Sequence, residues 1–208
     1  MKILNLFAGL GGNRTNWTDC EVTAVEINPT IASFYAGRFP DDTVIVGDAH
    51  QFLLDHFREF DFIWASPPCQ THSRARFWGW GNSEVVKPVY PSMILYQQIL
   101  LLQNYYDGEW IIENVKPFYP PLIEPTSSAG RHLVWSNRQL PNITGQHDLD
   151  INGGNRSDYE KLLGFKLGTH KFNQRTDQLL RNCVHPAVGE QLLNWIRGIE
   201  IHNQPTLF

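Results

Sequence analysis

Lys2-Ile3-Leu4-Asn5-Leu6-Phe7-Ala8-Gly9-Leu10-Gly11-Gly12 decides the fold. An apolar run stops abruptly in glycines, as a buried strand does where it turns toward a ligand. Lacking a Cβ, glycine lets the backbone approach a bound group closely. A plain tight turn would leave the same trace. The last glycine spacing of G-x-G-x-x-G is missing, so a dinucleotide is a poor fit. Further apolar runs at 21–26, 43–46, 60–65 and 110–113 read as strands, with helical stretches at 29–38, 49–59 and 92–106. Regular alternation with near-continuous hydrophobic strands predicts an α/β fold, a doubly wound, mostly parallel sheet covered on both faces. Residues 131–135 read as a sixth strand. Residues 137–180 break the rhythm as a small irregular lobe, and 184–199 return to helical periodicity with Pro186 in the first turn.

A chain of 208 residues supports one sizeable core and about one to two domains. With 42% hydrophobic and 18% charged residues it is globular in composition. No run approaches the roughly 18 apolar residues that span a bilayer. The start passes straight into the motif, so no signal peptide is expected. Cys20, Cys69 and Cys183 form no close pair, which argues against a disulfide framework or a metal site and points to a cytoplasmic protein. A formal net charge of −4 counts against a nucleic-acid partner. Its distribution counts the other way, because residues 130–182 hold eight Lys/Arg against five Asp/Glu. A solvated basic surface would give the same counts.

Carboxylates and one thiol recur at strand ends. Glu26 closes the second strand, where doubly wound folds hold ribose hydroxyls. Asp48 follows Gly47 after the third, where it either accepts from an adenine amino group or caps the next helix. Together with the glycines they describe an adenosine-type pocket without a phosphate clamp, which favours S-adenosylmethionine. Cys69 stands behind Pro67 and Pro68, in a stretch that fixes φ and removes two backbone donors. It is either an aimed nucleophile or a small buried residue. Glu113, in Glu113-Asn114-Val115, ends the strongly apolar Trp110-Ile111-Ile112, so burial should raise its pKa. It is either an acid facing the thiol or a structural hydrogen-bond partner.

As an ordered set, Phe7-Ala8-Gly9-Leu10-Gly11-Gly12, Glu26, Gly47-Asp48, Pro67-Pro68-Cys69-Gln70 and Glu113-Asn114-Val115 resemble the cytosine-C5 DNA methyltransferases. Residues 181–188 resemble that family's last motif, so the likeness runs from residue 3 to about 199. It implies a Rossmann-like S-adenosylmethionine-dependent methyltransferase fold, with a catalytic domain at 1–136 and 177–208 and a target-recognition lobe at 137–176. The cofactor would lie on Phe7, Ala8, Gly9, Leu10, Gly11 and Gly12. Glu26, Ile27, Asp48, Ala49, Pro67, Asn182 and Val184 would complete its site. Catalysis would fall to Cys69, adding to C6 of a flipped-out cytosine, to Glu113 at N3 and the exocyclic amine, and to Arg131 beside the base and the thiol. Pro68, Gln70, Ser73, Arg74, Arg76 and Asn114 would contact substrate and DNA. A mobile loop over 70–81 would close with Phe77, Trp78 or Trp80 filling the vacated stack.

The chain departs from that pattern in three places. Ser127 and Ala129 stand where the family's Gln-x-Arg-x-Arg begins, Asn5 replaces a customary acid or serine, and Arg76 replaces a glycine-rich stretch. The lobe is short, which predicts a short recognition site or relaxed specificity. The implied enzyme is a monomer acting on double-stranded DNA, without metal or membrane, in a bacterial or phage-infected cytoplasm. Its economy suits a phage or solitary enzyme, of restriction-modification or other purpose. Other readings stay open. The acidic total charge and small lobe suit cytosine-C5 methylation of tRNA or a free cytosine nucleotide. A catalytically silent DNA-binding homologue would not need both Cys69 and Glu113. Amino-methylating enzymes carry an aromatic residue after Pro-Pro, where this chain has Cys69.

Overall fold

The computed structural model describes residues 1–77, 88–143 and 154–199. Seven strands form one sheet: β1 (Lys2–Leu6), β2 (Glu21–Glu26), β3 (Thr43–Val46), β4 (Phe62–Ala65), β5 (Glu109–Val115), β6 (Ser127–Ala129) and β7 (His132–Ser136). Their order is β3-β2-β1-β4-β5-β7-β6. The first five run parallel, while β7 lies antiparallel to β5 and β6 antiparallel to β7. The doubly wound, mostly parallel sheet is therefore borne out. The sequence pattern missed β6, whose three residues are too few to show a period.

Among the described residues the helices are α1 (Pro29–Arg38), α2 (Ala49–His56), α3 (Ile94–Tyr105), α4 (Arg156–Leu163), α5 (Thr176–Arg181) and α6 (Pro186–Ile196). Inner strands are apolar on both sides because both sides are covered. Leu4, Leu6, Ile63, Ala65 and Ile112 pack with α2 and α3. Ile3, Phe62, Trp64, Ile111 and Val134 pack with Trp17 and α6. No helix follows the glycine loop; residues 9–15 pass through turns instead. Chain order reverses between β2–β1 and β4, so the loops after β1 and β4 open side by side, where such sheets bind ligands. The pairing Leu6↔Ala65 puts the glycine loop next to Pro67-Pro68-Cys69.

Within 137–176 the described residues are more regular than their sequence suggests. α4 has a full capping box, Asn155 with Asp158, but buries only Tyr159 and Leu163, one i, i+4 pair. That leaves almost no periodic signal. Tyr159, Leu163 and Leu167 share a core with Leu10 behind β1 and with Ile31 and Phe34 of α1. This part of the segment therefore packs against the body near the glycine loop. Residues 144–153, and Trp78 and Trp80 of the expected closing loop, lie outside the described residues.

Candidate active site

The strand ends surround a cavity of about 830 Å³. Phe7, Ala8, Gly9, Leu10, Gly12, Glu26 and Ile27 line one end. Gly9 and Gly11 have φ of +53° and +75°, a conformation natural to glycine. The Glu26 carboxylate is fixed by the backbone on both sides. Oε2 accepts from Gly9 N–H at 3.0 Å and Oε1 from Asn28 N–H at 2.9 Å. Each oxygen keeps a lone pair for a ribose hydroxyl. The Asn28 side chain in turn caps α1, accepting from Thr30 and Ile31. Asp48 caps α2, its Oδ1 accepting from His50 N–H at 2.8 Å and Gln51 N–H at 3.2 Å. Gly11, Asp48 and the buried Ala49, expected at the cofactor, are not among the residues that line this cavity. Glu26 is the only charged group in the stretch 7–31 that lines the cavity. These residues fit the adenosine part of S-adenosylmethionine. Val184 and Asn182 close the same end from behind Gly12.

The other end holds Ser66, Pro67, Pro68, Cys69, Gln70, Glu113, Asn114, Arg131 and His132. The Cys69 carbonyl accepts from His72 and Ser73 N–H, both at 3.0 Å, so the chain turns sharply once past the thiol. The buried Asn114 amide donates to the Pro67 carbonyl at 2.9 Å and thereby fastens the Pro-Pro segment to β5. Gln70 and Pro68 are exposed at the mouth. Ser73 pairs with Pro117, whose carbonyl also accepts from Arg74 Nε at 3.3 Å. Arg76 Nη1 reaches the Val89 carbonyl. Arg131 lies half-buried and donates to the Arg181 carbonyl, joining the hairpin to the end of α5.

Burial dominates the electrostatics. It pushes the Cys69 thiol above its usual range, the Glu113 charge adds to this, and Arg131 opposes it. The Arg131 charge favours the thiolate, but desolvation outweighs it. Burial also raises the Glu113 carboxyl to about 7, against the pull of Ser66 and Arg131 toward the ionised form. His132 Nε2 lies 3.9 Å from Glu113 Oε2. Burial, with Arg131 and Lys116 adding to it, lowers His132 to about 3, so its ring is neutral. Cys183 also lines the cavity, but burial holds its thiol near 12. The site therefore presents one acid poised near neutrality beside one reluctant thiol.

Sequence reasoning passed over Ser66, His132, Lys116 and the α5 residues Asp177, Gln178 and Arg181, all of which line the cavity. Ser66 immediately precedes Pro67-Pro68-Cys69 and His132 follows Arg131, so adjacency was the available signal. The basic residues of 137–176 are in part locally neutralised: Arg138 pairs with Glu109, Arg156 with Glu160 and Arg175 with Asp177. Lys161, Lys166 and Lys171 are exposed. Among the described residues, no group of His, Cys, Asp or Glu is placed to hold a metal, and no helix is long and apolar enough to cross a membrane.

The profile of a family described as C-5 cytosine-specific DNA methylase matches residues 1–117. A tRNA (cytosine(38)-C(5))-methyltransferase of Spodoptera frugiperda is 32% identical over 80 residues, which is 35% of this chain and 24% of that protein. The match thus spans about a quarter of that relative. A structure of a Spodoptera frugiperda DNMT2 mutant shares 29% identity over 56% of this chain and 36% of its own, with a TM-score of 0.39. The Entamoeba histolytica methyltransferase EhMeth superposes over 97% of this chain and 99% of its own, with a TM-score of 0.55 at 13% identity, and shows the shared fold.

Proposed function

The chain belongs to the C-5 cytosine-specific DNA methylase family, and on that premise we propose that it transfers a methyl group from S-adenosylmethionine to C5 of cytosine in DNA through a Cys69 adduct. The observation that carries this reading is one cavity lined by the glycine loop, Glu26, Cys69, Glu113 and Arg131 together. S-adenosylmethionine, when bound, supplies an electrophilic methyl group. The chain's own residues prepare the base to receive it. The Cys69 thiolate adds to C6 of a flipped-out ring, forming the S–C bond as the C5=C6 pair shifts toward C5. Glu113, protonated near neutrality, donates to N3, so the charge built up in the ring is neutralised as it forms. Arg131 steadies the anionic thiol. Solvent water in the cleft then takes the C5 proton, which restores the double bond and expels the thiolate, and N3 returns its proton to Glu113.

The same reading makes the protein a monomer that acts on duplex DNA without a metal. Pro68, Gln70, Ser73, Arg74 and Arg76 hold the strand at the mouth, and the segment 137–176 reads the target. Two observations favour a different polymer. The curated relative is a tRNA enzyme, and much of the basic charge expected to face DNA is already paired with acids.

Labelled methyl transfer to duplex DNA, tRNA and dCMP separates these substrates. The expected result is methylation of duplex DNA and a covalent adduct with 5-fluorocytosine DNA, both abolished in Cys69→Ala. Adduct formation that survives Cys69→Ala overturns the mechanism. Transfer to tRNA alone moves the substrate to RNA with the chemistry unchanged.

A further inference from the structure

One polar group beside Glu113 has its hydrogen-bond direction dictated by the core. β4 and β5 pair in register up to Ala65↔Ile112, so one step further Ser66 stands opposite Glu113. Neighbours in register share a face, and here it is the face of Trp64 and Ile111, both in the Trp17 cluster. Trp64 is fully buried, and its indole N–H donates to Ser66 Oγ at 2.9 Å. An indole can only donate. Ser66 Oγ is therefore the acceptor there, which leaves its own hydrogen for the carboxylate of Glu113, whose ionised form Ser66 favours.

We propose that Ser66, held by the Trp64 indole, is a positioning residue that grips one side of the Glu113 carboxyl and leaves the other to carry the acid proton into the cleft. The assignment rests on Glu113 being the acid of the proposed reaction. Cys69, Arg131 and His132 also act on or lie near Glu113, and Lys116 acts on His132. Cys69 follows β4, Arg131 and His132 belong to the β6–β7 hairpin, and Lys116 follows β5. His132 Nε2 lies 3.9 Å from Glu113 Oε2, beyond hydrogen-bond reach, so it does not replace the donor that Ser66 supplies.

Removing the hydroxyl strips the buried carboxylate of a donor, which favours its protonated form. The midpoint assigned to Glu113 should rise by about one pH unit, the typical worth of a hydrogen bond to a charged group. Because an ionised Glu113 holds back the Cys69 thiol, iodoacetamide reads the same event in the full chain, with Cys69 followed by peptide mass mapping. In Ser66→Ala, alkylation just above neutral pH should be about three-fold faster than in the wild type. Ser66→Thr should follow the wild type, and Trp64→Phe should shift in the same direction by less. In a Glu113→Gln background Ser66→Ala should change nothing further. A folded Ser66→Ala protein with an unchanged alkylation profile overturns the proposal, as does an equal change in the Glu113→Gln background. The pH dependence of methyl transfer should move with the alkylation profile. A Ser66-dependent alkylation profile without any methyl transfer would overturn the functional reading and leave the positioning role standing. Methyl transfer indifferent to Ser66 would do the reverse.

Discussion

The two ends of the cavity are built on opposite electrostatic terms. At the glycine-loop end the charged group is partnered by backbone: Glu26 accepts from Gly9 and Asn28, and after the next strand Asp48 accepts from His50 and Gln51. At the Cys69 end the titratable groups are buried and held away from their ordinary ionisation. One end is a stable mould, whereas the other stores free energy in groups that folding would rather leave in water. A mould needs particular backbone shapes, so its residues show in sequence. A frustrated site depends on what surrounds each group, which only the fold assembles.

Glu113→Gln strikes the comparison hardest. Loss of the acid should lower the chemical step by ~10²-fold or more, with single-turnover methyl transfer as the measurement. The same substitution should stabilise the protein. The folded carboxyl titrates at about 7, above its usual 4.5. Protonation therefore favours the folded state: the stability it confers is complete below about pH 4.5 and lost as pH rises through 7. At pH 8 the ionised Glu113 costs about 3 kcal/mol, an upper figure that Gln avoids. The variant should melt higher than the wild type at pH 8 and level with it in acid. Equal melting at both pH values would mean that this end is not frustrated.

Gly12→Ala probes the mould. A Cβ at Gly12 would run into the Val184 carbonyl and the Cys183 side chain, both behind the loop. Overpacking of this kind costs about 1–3 kcal/mol, and the loop must move to relieve it. Calorimetry should show weakened S-adenosylmethionine binding and a lower melting temperature. Cys69 alkylation should keep its pH profile, because Gly12 touches none of the groups that set it. A shifted profile would show that the two ends are coupled.

What could be read in the sequence follows the same divide. The glycines, Glu26, Asp48, Cys69 and Glu113 each sit where a strand ends or nears its end, and strands announce themselves by continuous hydrophobicity. The pairing of Ser66 with Glu113, and of Glu113 with His132, depends on register between segments about 20 to 50 residues apart, which local patterns do not carry. β6 and α4 were missed because neither buries enough residues to repeat a period. Residues 137–180 read as a small irregular lobe because their apolar positions are sparse. Those few positions meet Leu10, Ile31 and Phe34 from the other end of the chain.

Asp48→Asn should give the smallest effect and separates the two duties this carboxylate can perform. Asp48 Oδ1 already receives two N–H groups as the cap of α2. An Asn oxygen caps as well as an Asp oxygen, so stability should hold within a few tenths of a kcal/mol, roughly the spread among good caps. The second oxygen is the one that changes, from an acceptor to an NH₂ donor. If it faces the adenine amino group, donor then meets donor, and S-adenosylmethionine affinity should fall by about three- to ten-fold, the worth of one ordinary hydrogen bond. Unchanged affinity would reduce Asp48 to a helix cap. The mould would then consist of the glycine loop, Glu26 and Ile27, closed by Asn182 and Val184.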